Sequence, residues 1–433
     1  MYDCVGPSTW RPAPVYELAL WTNGLAFKDI DFSDFGRPII KIAELKNGVT
    51  SQTAHTQAEY DPSVFVRSGD LLFSWSGNPD TSIDVFRWEG QDGWLNQHIF
   101  KVKPKPGISE EFLFFLLRWL RPRFAEIARN KQTTGLGHVT IQDLKRMIVG
   151  VPEGKEQDGI VDIVGPLRKK IDLNRRTNAT LEAMAQAIFK DWFVDFGPVG
   201  SKAAHQPSYL PKPTWALFPS ALDSEGRPHT WHERSLYGIA EFVNGAAYKD
   251  MHFSAERDGF PVIKIAELKN GVTPNTKFTT TDLGSKYRID TLEILFSWSG
   301  NPDTSIDTFI WDEGPAYLNQ HIFRVRENGS ASRAMIYFQL KQLKPTFAEI
   351  ARNKQTTGLG HVTAADMKAL MVCAPPAAIA NAFEEIVAPM FEEMCSNLLE
   401  NRALETLSDF LLPKLMSGEI RVKDAGRMVE AAL

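Results

Sequence analysis

The chain has 433 residues, 43% apolar and 23% charged, a composition that fits a globular protein and excludes a disordered or fibrous one. A net charge of −5 argues against a strongly basic nucleic-acid binder and leaves any DNA contact to local groups or to a partner. No apolar run reaches membrane-spanning length, MYDCVGPSTW does not read as a signal peptide, and Cys4, Cys373 and Cys395 share no metal or disulfide spacing, so a cytoplasmic protein with reduced thiols is expected.

In chain order, residues 1–23 read as irregular and rich in Pro and Trp. Residues 24–100 alternate β-favouring runs (PIIKIAEL, LLFSWSG, TSIDVFRW, NQHIFKV) with Asn-Gly, Gly-Asn-Pro and Asp-Gly turns. Residues 110–121 read as a buried helix, and 124–130 as a second helix running into the polar turn KQTTGLGH. Another element starts at Val139-Thr140, and 147–151 reads as a strand ending at Pro152. Ile160, Val164, Leu167, Ile171, Asn174, Asn178, Leu181, Ala185, Ile188 and Trp192 then alternate steps of four and three, a heptad seam on one long helix. Pro166 is expected to start or kink that helix, as Pro389 is in the second copy. Residues 197–228, loaded with Gly, Pro, His and Ser, read as a linker.

After the linker the pattern is written again. FAEIARNKQTTGLGHVT at 124–140 recurs unchanged at 347–363, and LFSWSGNPDTSID at 72–84 recurs at 295–307, both 223 residues on. Asn23-Gly24 returns as Asn244-Gly245, IIKIAELKNGV as VIKIAELKNGV, and LNQHIF unchanged. The period is too long for a solenoid, and each copy is large enough to be a domain. The expected boundaries are residues 1–152 and 229–375 for the globular domains, 153–196 and 376–422 for the long helices, 197–228 for the linker, and 423–433 for a tail that frays beyond Val422. The expected class is α+β: two similar α/β domains, each followed by a long helix, the helices pairing as an antiparallel coiled coil with pseudo-two-fold symmetry. Asn174 then faces Asn401, and Asn178 faces Asn397, fixing the register.

Catalytic signals are weak. There is no phosphate-binding GxxxxGK[ST], no GxSxG and no HExxH, and Pro375-Pro376 lacks the aromatic residue an amino-methyltransferase needs. Glu44 and Lys46, copied as Glu267 and Lys269 with Asp34 or Asp258 upstream, leave open a Mg-dependent nuclease; the same stretch also reads as an alternating exposed strand. A coiled-coil scaffold without DNA binding is a third reading. His98 and His321 have no ligand-spaced partner and read as structural, so no metal site is expected. The repeated polar turns carry the recognition chemistry. They hold Ser74, Trp75, Ser76, Asn78, Thr81, Arg129, Asn130, Lys131, Gln132, Thr133, Thr134 and His138 in the first copy. In the second they hold Ser297, Trp298, Ser299, Asn301, Thr304, Arg352, Asn353, Lys354, Gln355, Thr356, Thr357 and His361. Glycines let backbone approach a ligand, and Arg, Lys, Asn and Gln read base edges or grip phosphates. At the end of the first long helix, Trp192, Phe193 and Phe196 exceed what one helix end can bury, and an exposed patch there reads as a protein interface, with 411–416 as its counterpart.

The layout resembles the specificity (S) subunit of type I restriction–modification systems over nearly the whole chain. The resemblance rests on TTGLGHVTIQDLKRMIVGVPEGKEQDGIV at the junction of domain and helix, LEAMAQAIFKDWFVDFGPV at the end of the first helix and LLPKLMSGEIRV at the end of the second. The second copy departs at the junction, where Ile379-Ala380 replace Glu156-Gln157. The resemblance implies a non-catalytic subunit with two target recognition domains, each reading one half of a split double-stranded DNA target. It also implies two methyltransferase (modification) subunits docked on the helices and supplying S-adenosylmethionine, with restriction/translocase subunits able to join.

Overall fold

The computed structural model describes residues 3–4, 6–7, 9–131, 136–355 and 359–432. The chain forms two compact units: residues 1–170 with 404–433, and residues 171–403. Each unit holds one globular domain and a stretch of both long helices.

In the first unit a four-stranded antiparallel sheet runs Ala19–Asn23, Ile99–Pro104, Leu71–Ser74, Asp84–Arg87. A second, mixed sheet runs His55–Thr56, Arg37–Ile40, Gly93–Leu95, Phe65–Val66. Residues before Asn23, expected to be irregular, instead form strands: Asp3–Cys4 and Arg11–Pro14 flank Ile148–Val151. Pro12 and Pro14 are tolerated because that strand is an edge. Helix Glu110–Trp119 is capped by Ser109, whose hydroxyl accepts from the Phe112 N–H, and buries Phe112, Leu113, Phe115, Leu116 and Leu117. Helix Arg121–Asn130 follows, with Pro in its first turn.

The stretch read as one alternating strand at 39–46 divides into strand Arg37–Ile40 and helix Ile42–Asn47. Lys41 has extended backbone, and its N–H donates to Glu44 Oε2 at 3.0 Å, which starts the helix. The Thr53 hydroxyl donates to the other oxygen, also at 3.0 Å. Glu267 makes the same bonds to Lys264 and Thr276. Both carboxylates are buried caps with their oxygens already used, which corrects the nuclease alternative. Among the described residues no cluster of His, Cys, Asp and Glu is able to hold a metal.

The second unit repeats the same elements. Ala240–Asn244, Ile322–Glu327, Ile294–Ser297 and Asp307–Ile310 form its antiparallel sheet. Its small sheet has only His232–Ser235 and Met371–Ala374; no strand matches Asp3–Cys4 among the described residues.

The first long helix is unbroken over Gly154–Phe193 and the second over Ala377–Met416. Pro166 and Pro389 lie inside them rather than at their starts. The helices are antiparallel. In the first unit Arg168 bonds Asp409 at 2.8 Å. In the second unit Asn174 Nδ2 donates to Asn401 Oδ1 at 3.0 Å, Asn397 Nδ2 donates to Asn178 Oδ1 at 2.9 Å, and Phe189 packs on Phe383. These are the pairs that the seam and its offset specify.

Two segments expected to lack structure have it. The linker contains helices Gly197–Ala203 and Lys212–Leu217, and the tail is a helix, Val422–Ala432, with Ala425 fully buried. This reverses the expectation at the first helix end. Trp192 and Phe193 are buried, packed on Phe218, Trp231 and Phe383, and the half-buried Phe196 packs on Trp231. Leu411, Leu412, Leu415 and Met416 are buried too. The expected exposed aromatic patch is not there, because the chain that follows the first helix folds back and covers its end.

Candidate nucleic-acid interface

The two repeated turns are brought together in each copy. Strand Leu71–Ser74 continues through Trp75 into Ser76–Gly77, which pairs with Gly137–His138, with Gly77 opposite Gly137 and Ser76 opposite His138. The Val139 N–H donates to Trp75 O at 2.8 Å. In the second copy Ser299 faces His361, Gly300 faces Gly360, and the Val362 N–H donates to Trp298 O at 2.8 Å. The glycines are required. A Cβ on Gly137 would lie 2.2 Å from Ala128 O, and one on Gly360 2.3 Å from Ala351 O, both main-chain atoms of the preceding helix. Gly77 also has φ +124, a conformation side chains rarely adopt.

Surrounding side chains hold the Ser76–Gly77 and Ser299–Gly300 segments in place. Trp75 Nε1 donates to Asn23 Oδ1 at 2.9 Å, and its ring packs on His98 and Phe100. Trp298 does the same with Asn244, His321 and Phe323. This explains the repeated Asn-Gly pair, whose role the sequence alone did not reveal. Asn78 Oδ1 accepts from the N–H groups of Asp80 and Thr81, at 3.0 and 3.2 Å, and Asn301 closes the matching turn.

The structure redistributes the candidate residues. Ser74 and Ser297 are completely buried in core strands, so they cannot touch DNA. Arg129 pairs with Asp80, and Arg352 with Asp303 at 2.5 Å. Lys131 and Lys354 pair with Asp143 and Asp366, whose carboxylates also cap the next helices through Thr140 and Thr363. The two lysines are therefore tied to the helices that follow the turns, with about a third of each side chain still exposed. Thr81, Asn130, Thr304, Asn353, Gln355 and His361 are exposed; Ser76, Ser299 and His138 are half-buried. Gln132, Thr133, Thr134, Thr356 and Thr357 lie outside the described residues. The sequence reading missed several exposed apolar side chains. Leu136 and Leu359 follow the turns, and Ile30 and Met251 occupy matching loop positions at 90% and 83% exposure. Their only signal was an apolar residue kept at one position inside a polar run, KDID in one copy and KDMH in the other.

The lysine anchors carry a pH signature. Burial works to raise the Asp143 carboxyl, but the Lys131 ammonium and the Thr140 hydroxyl and N–H outweigh it and hold its pKa below the usual carboxylate value. Asp366 is lowered for the same reasons by Lys354 and Thr363. A depressed native pKa contributes stability that is present above the unfolded value, about pH 4, and is lost as pH falls through the native value. Asp143→Asn, with Asp366→Asn, is expected to flatten the acid limb of thermal stability below about pH 4 and leave its slope unchanged near neutrality. Melting temperatures followed from pH 7 to pH 3 check this; parallel acid limbs would show that the pairs contribute nothing.

The sequence model of the type I restriction modification DNA specificity domain matches residues 7–183 and 228–391, both copies. The chain belongs to that family. It is 26% identical over 408 residues to the type I restriction enzyme HindI specificity subunit of Haemophilus influenzae, covering 82% of this chain and 87% of that one. It is 24% identical over 335 residues to the MjaIX specificity subunit of Methanocaldococcus jannaschii, covering 76% and 73%. The fold matches the crystal structure of a type I restriction-modification S subunit from M. genitalium with a TM-score of 0.51 at 15% identity, covering 94% of this chain and 96% of that one. Membership makes this a DNA sequence-recognition chain without catalysis of its own; in the family the enzymatic activity sits in partner subunits. The scaffold reading without DNA binding falls with it. No helix among the described residues is long and apolar enough to cross a membrane.

Proposed function

We propose that this chain reads both halves of a split double-stranded DNA target through its paired turns, as the specificity subunit of a type I complex in the cytoplasm. Methyltransferase subunits bring S-adenosylmethionine and the base chemistry, and restriction/translocase subunits join the same assembly. The observation that carries the reading is the bridge between Ser76 and His138, repeated at Ser299 and His361. In each copy it joins two polar turns of unchanged sequence in a chain whose family is defined by DNA specificity. The exposed carboxamides of Asn130, Asn353 and Gln355 suit base edges, and exposed Leu136 and Leu359 suit thymine methyl groups. With most turn cations already paired, much of the backbone affinity falls to partners, which agrees with a net charge of −5.

Identical reading turns imply identical or nearly identical half-sites, and antiparallel helices favour inverted over direct order. Segments 51–70 and 274–293 differ between copies and limit how perfect the palindrome is. Co-expression with the modification subunits, followed by sequencing of methylated bases, is expected to return a split, nearly palindromic site. Two half-sites unrelated by inversion would refute it. Gln132→Ala and Gln355→Ala are each expected to cost about 1–3 kcal/mol and to relax one position of one half-site.

A further inference from the structure

The helix IAELKN, whose glutamate is a buried cap, also carries a lysine that neither the cap nor the reading turns use. Helix Ile42–Asn47 rests on the bridge between the turns: a Cβ on Gly77 would lie 3.6 Å from Ile42 Cδ1. Helix Ile265–Asn270 has the same six residues, and its Ile265 Cδ1 lies 3.6 Å from the matching point on Gly300. Lys46 follows Ile42 by four residues, one helical turn along the same face, and Lys269 follows Ile265 in the same way. Both lysines are exposed.

Their charges are left over. Among the described residues neither Lys46 nor Lys269 makes a hydrogen bond or an ion pair. The carboxylates around them are already engaged. Glu44 has one oxygen on the Lys41 N–H and the other on the Thr53 hydroxyl, and Glu267 is bonded alike by Lys264 and Thr276. Asp84 pairs with Arg121 Nε at 3.1 Å, and the matching Asp307 with Lys341 at 3.2 Å and Lys344 at 2.5 Å. Arg121 also donates to Asp80 O at 2.8 Å, inside the turn that leads away from the bridge. Lys46 therefore has a second cation near it. Loss of hydration and then the Arg121 guanidinium hold its pKa below the usual lysine value, against the pull of Asp84. Arg129, Arg352, Lys131 and Lys354 differ, since each has its own carboxylate.

We propose that Lys46 and Lys269 each grip a phosphodiester of the DNA backbone beside the half-site that their own domain reads. The inference rests on the proposed function only in placing DNA against the bridge, and not on which turn residues read bases. An ammonium on a flexible stem is a point charge that meets a phosphate oxygen without preference for a base. The bridge then specifies, and the lysine beside it sets the domain on the duplex. The glutamate and lysine of IAELKN thus divide their roles: the first caps the helix, and the second holds the backbone.

The test titrates the full chain, assembled with its modification subunits, against target duplex from 50 to 200 mM salt. Each phosphate contact contributes about 0.9 to the slope of log affinity against log salt. Lys46→Gln is expected to reduce the slope by that amount, so that its loss of affinity is about 3.5-fold larger at 50 mM than at 200 mM. The loss should be alike for the intact target and for targets scrambled in one half, as expected of a phosphate contact and not of a base contact. Lys269→Gln should behave likewise. Lys46→Arg keeps the charge and should keep the slope, and Lys212→Gln, in the linker, should leave it unchanged. A scan of single neutral methylphosphonates along the duplex is expected to find one position that weakens the native chain and has no further effect on Lys46→Gln. An unchanged slope in Lys46→Gln, an equal change in Lys212→Gln, or the lack of any such position would each overturn the proposal. Poorer assembly of Lys46→Gln with the modification subunits in the absence of DNA would assign the lysine to a protein carboxylate and overturn it too. If Gly137→Ala spares both half-sites while Lys46→Gln behaves as expected, the reading turns fail and the phosphate grip stands; the reverse pattern removes the grip alone.

Discussion

Asn174→Leu is expected to destabilise the protein by about 1–3 kcal/mol, the cost of leaving buried amide groups without partners. Asn174 is almost fully buried, and its Nδ2 serves both Asn401 Oδ1 at 3.0 Å and Glu400 Oε2 at 2.6 Å. Leucine fits the seam but strands the Asn401 amide against apolar neighbours. Asn174→Leu with Asn401→Leu removes both partners and is expected to recover most of the loss, because two leucines at facing seam positions pack as any coiled-coil layer does. The register then rests on Asn178 and Asn397 alone. Urea unfolding of the two single variants and the double variant closes the cycle, and a coupling near zero would show that the asparagines do not hold the helices in place.

Gly137→Ala is expected to disable one half-site and spare the other. The added carbon would sit 2.2 Å from Ala128 O, a backbone atom of the Arg121–Asn130 helix that cannot rotate aside. The Gly77–Gly137 bridge must open, and the turn that starts at Lys131 loses its far anchor. On the proposed reading this would move several base contacts at once, so affinity for targets intact in the corresponding half-site should fall by at least about tenfold, as the loss of one base contact alone is worth about 1–3 kcal/mol. Gly360→Ala should do the same for the other half-site. Gly154→Ala is the control, since a Cβ there meets nothing within 4 Å. Fluorescence anisotropy with targets scrambled in one half or the other, in the presence of modification subunits, reads the result. Equal loss at both half-sites, or none at either, would sink the assignment.

The repeat, the two long helices and the asparagine pairs were legible because they depend on period and offset, which need no knowledge of neighbours. The repeated turns were legible as polar segments around glycine, but not as joined to each other, since the bridge between residues 76 and 138 is a long-range pairing without a local mark. Burial decided most of what was misread. Ser74 is polar by type and sits in a strand whose four residues are all buried. That Lys131 and Arg129 are paired with Asp143 and Asp80 also carries no local mark, since the partners lie 12 and 49 residues away. Glu44 resembles a metal ligand in IAELK because a helix cap and a catalytic carboxylate use the same residue, and only the Lys41 N–H and Thr53 hydroxyl distinguish them. An exposed patch was expected among Trp192, Phe193 and Phe196, beyond the one ring that finishes the seam, because the chain that covers them, around Phe218 and Trp231, carries no periodic signal.

The asparagine layer has an evolutionary reading. Asn401 is the repeat image of Asn178, and Asn397 that of Asn174, so the two hydrogen-bonded pairs are one contact seen from either side. A surface that binds its own image is an isologous dimer interface. A single ancestral half would already have carried both members of each pair on one helix and could associate with a second copy of itself before any gene fusion. Joining two such halves in one chain removes the concentration dependence of that association and releases the halves from identity, as at the junctions, where one holds Gln157 and the other Ala380.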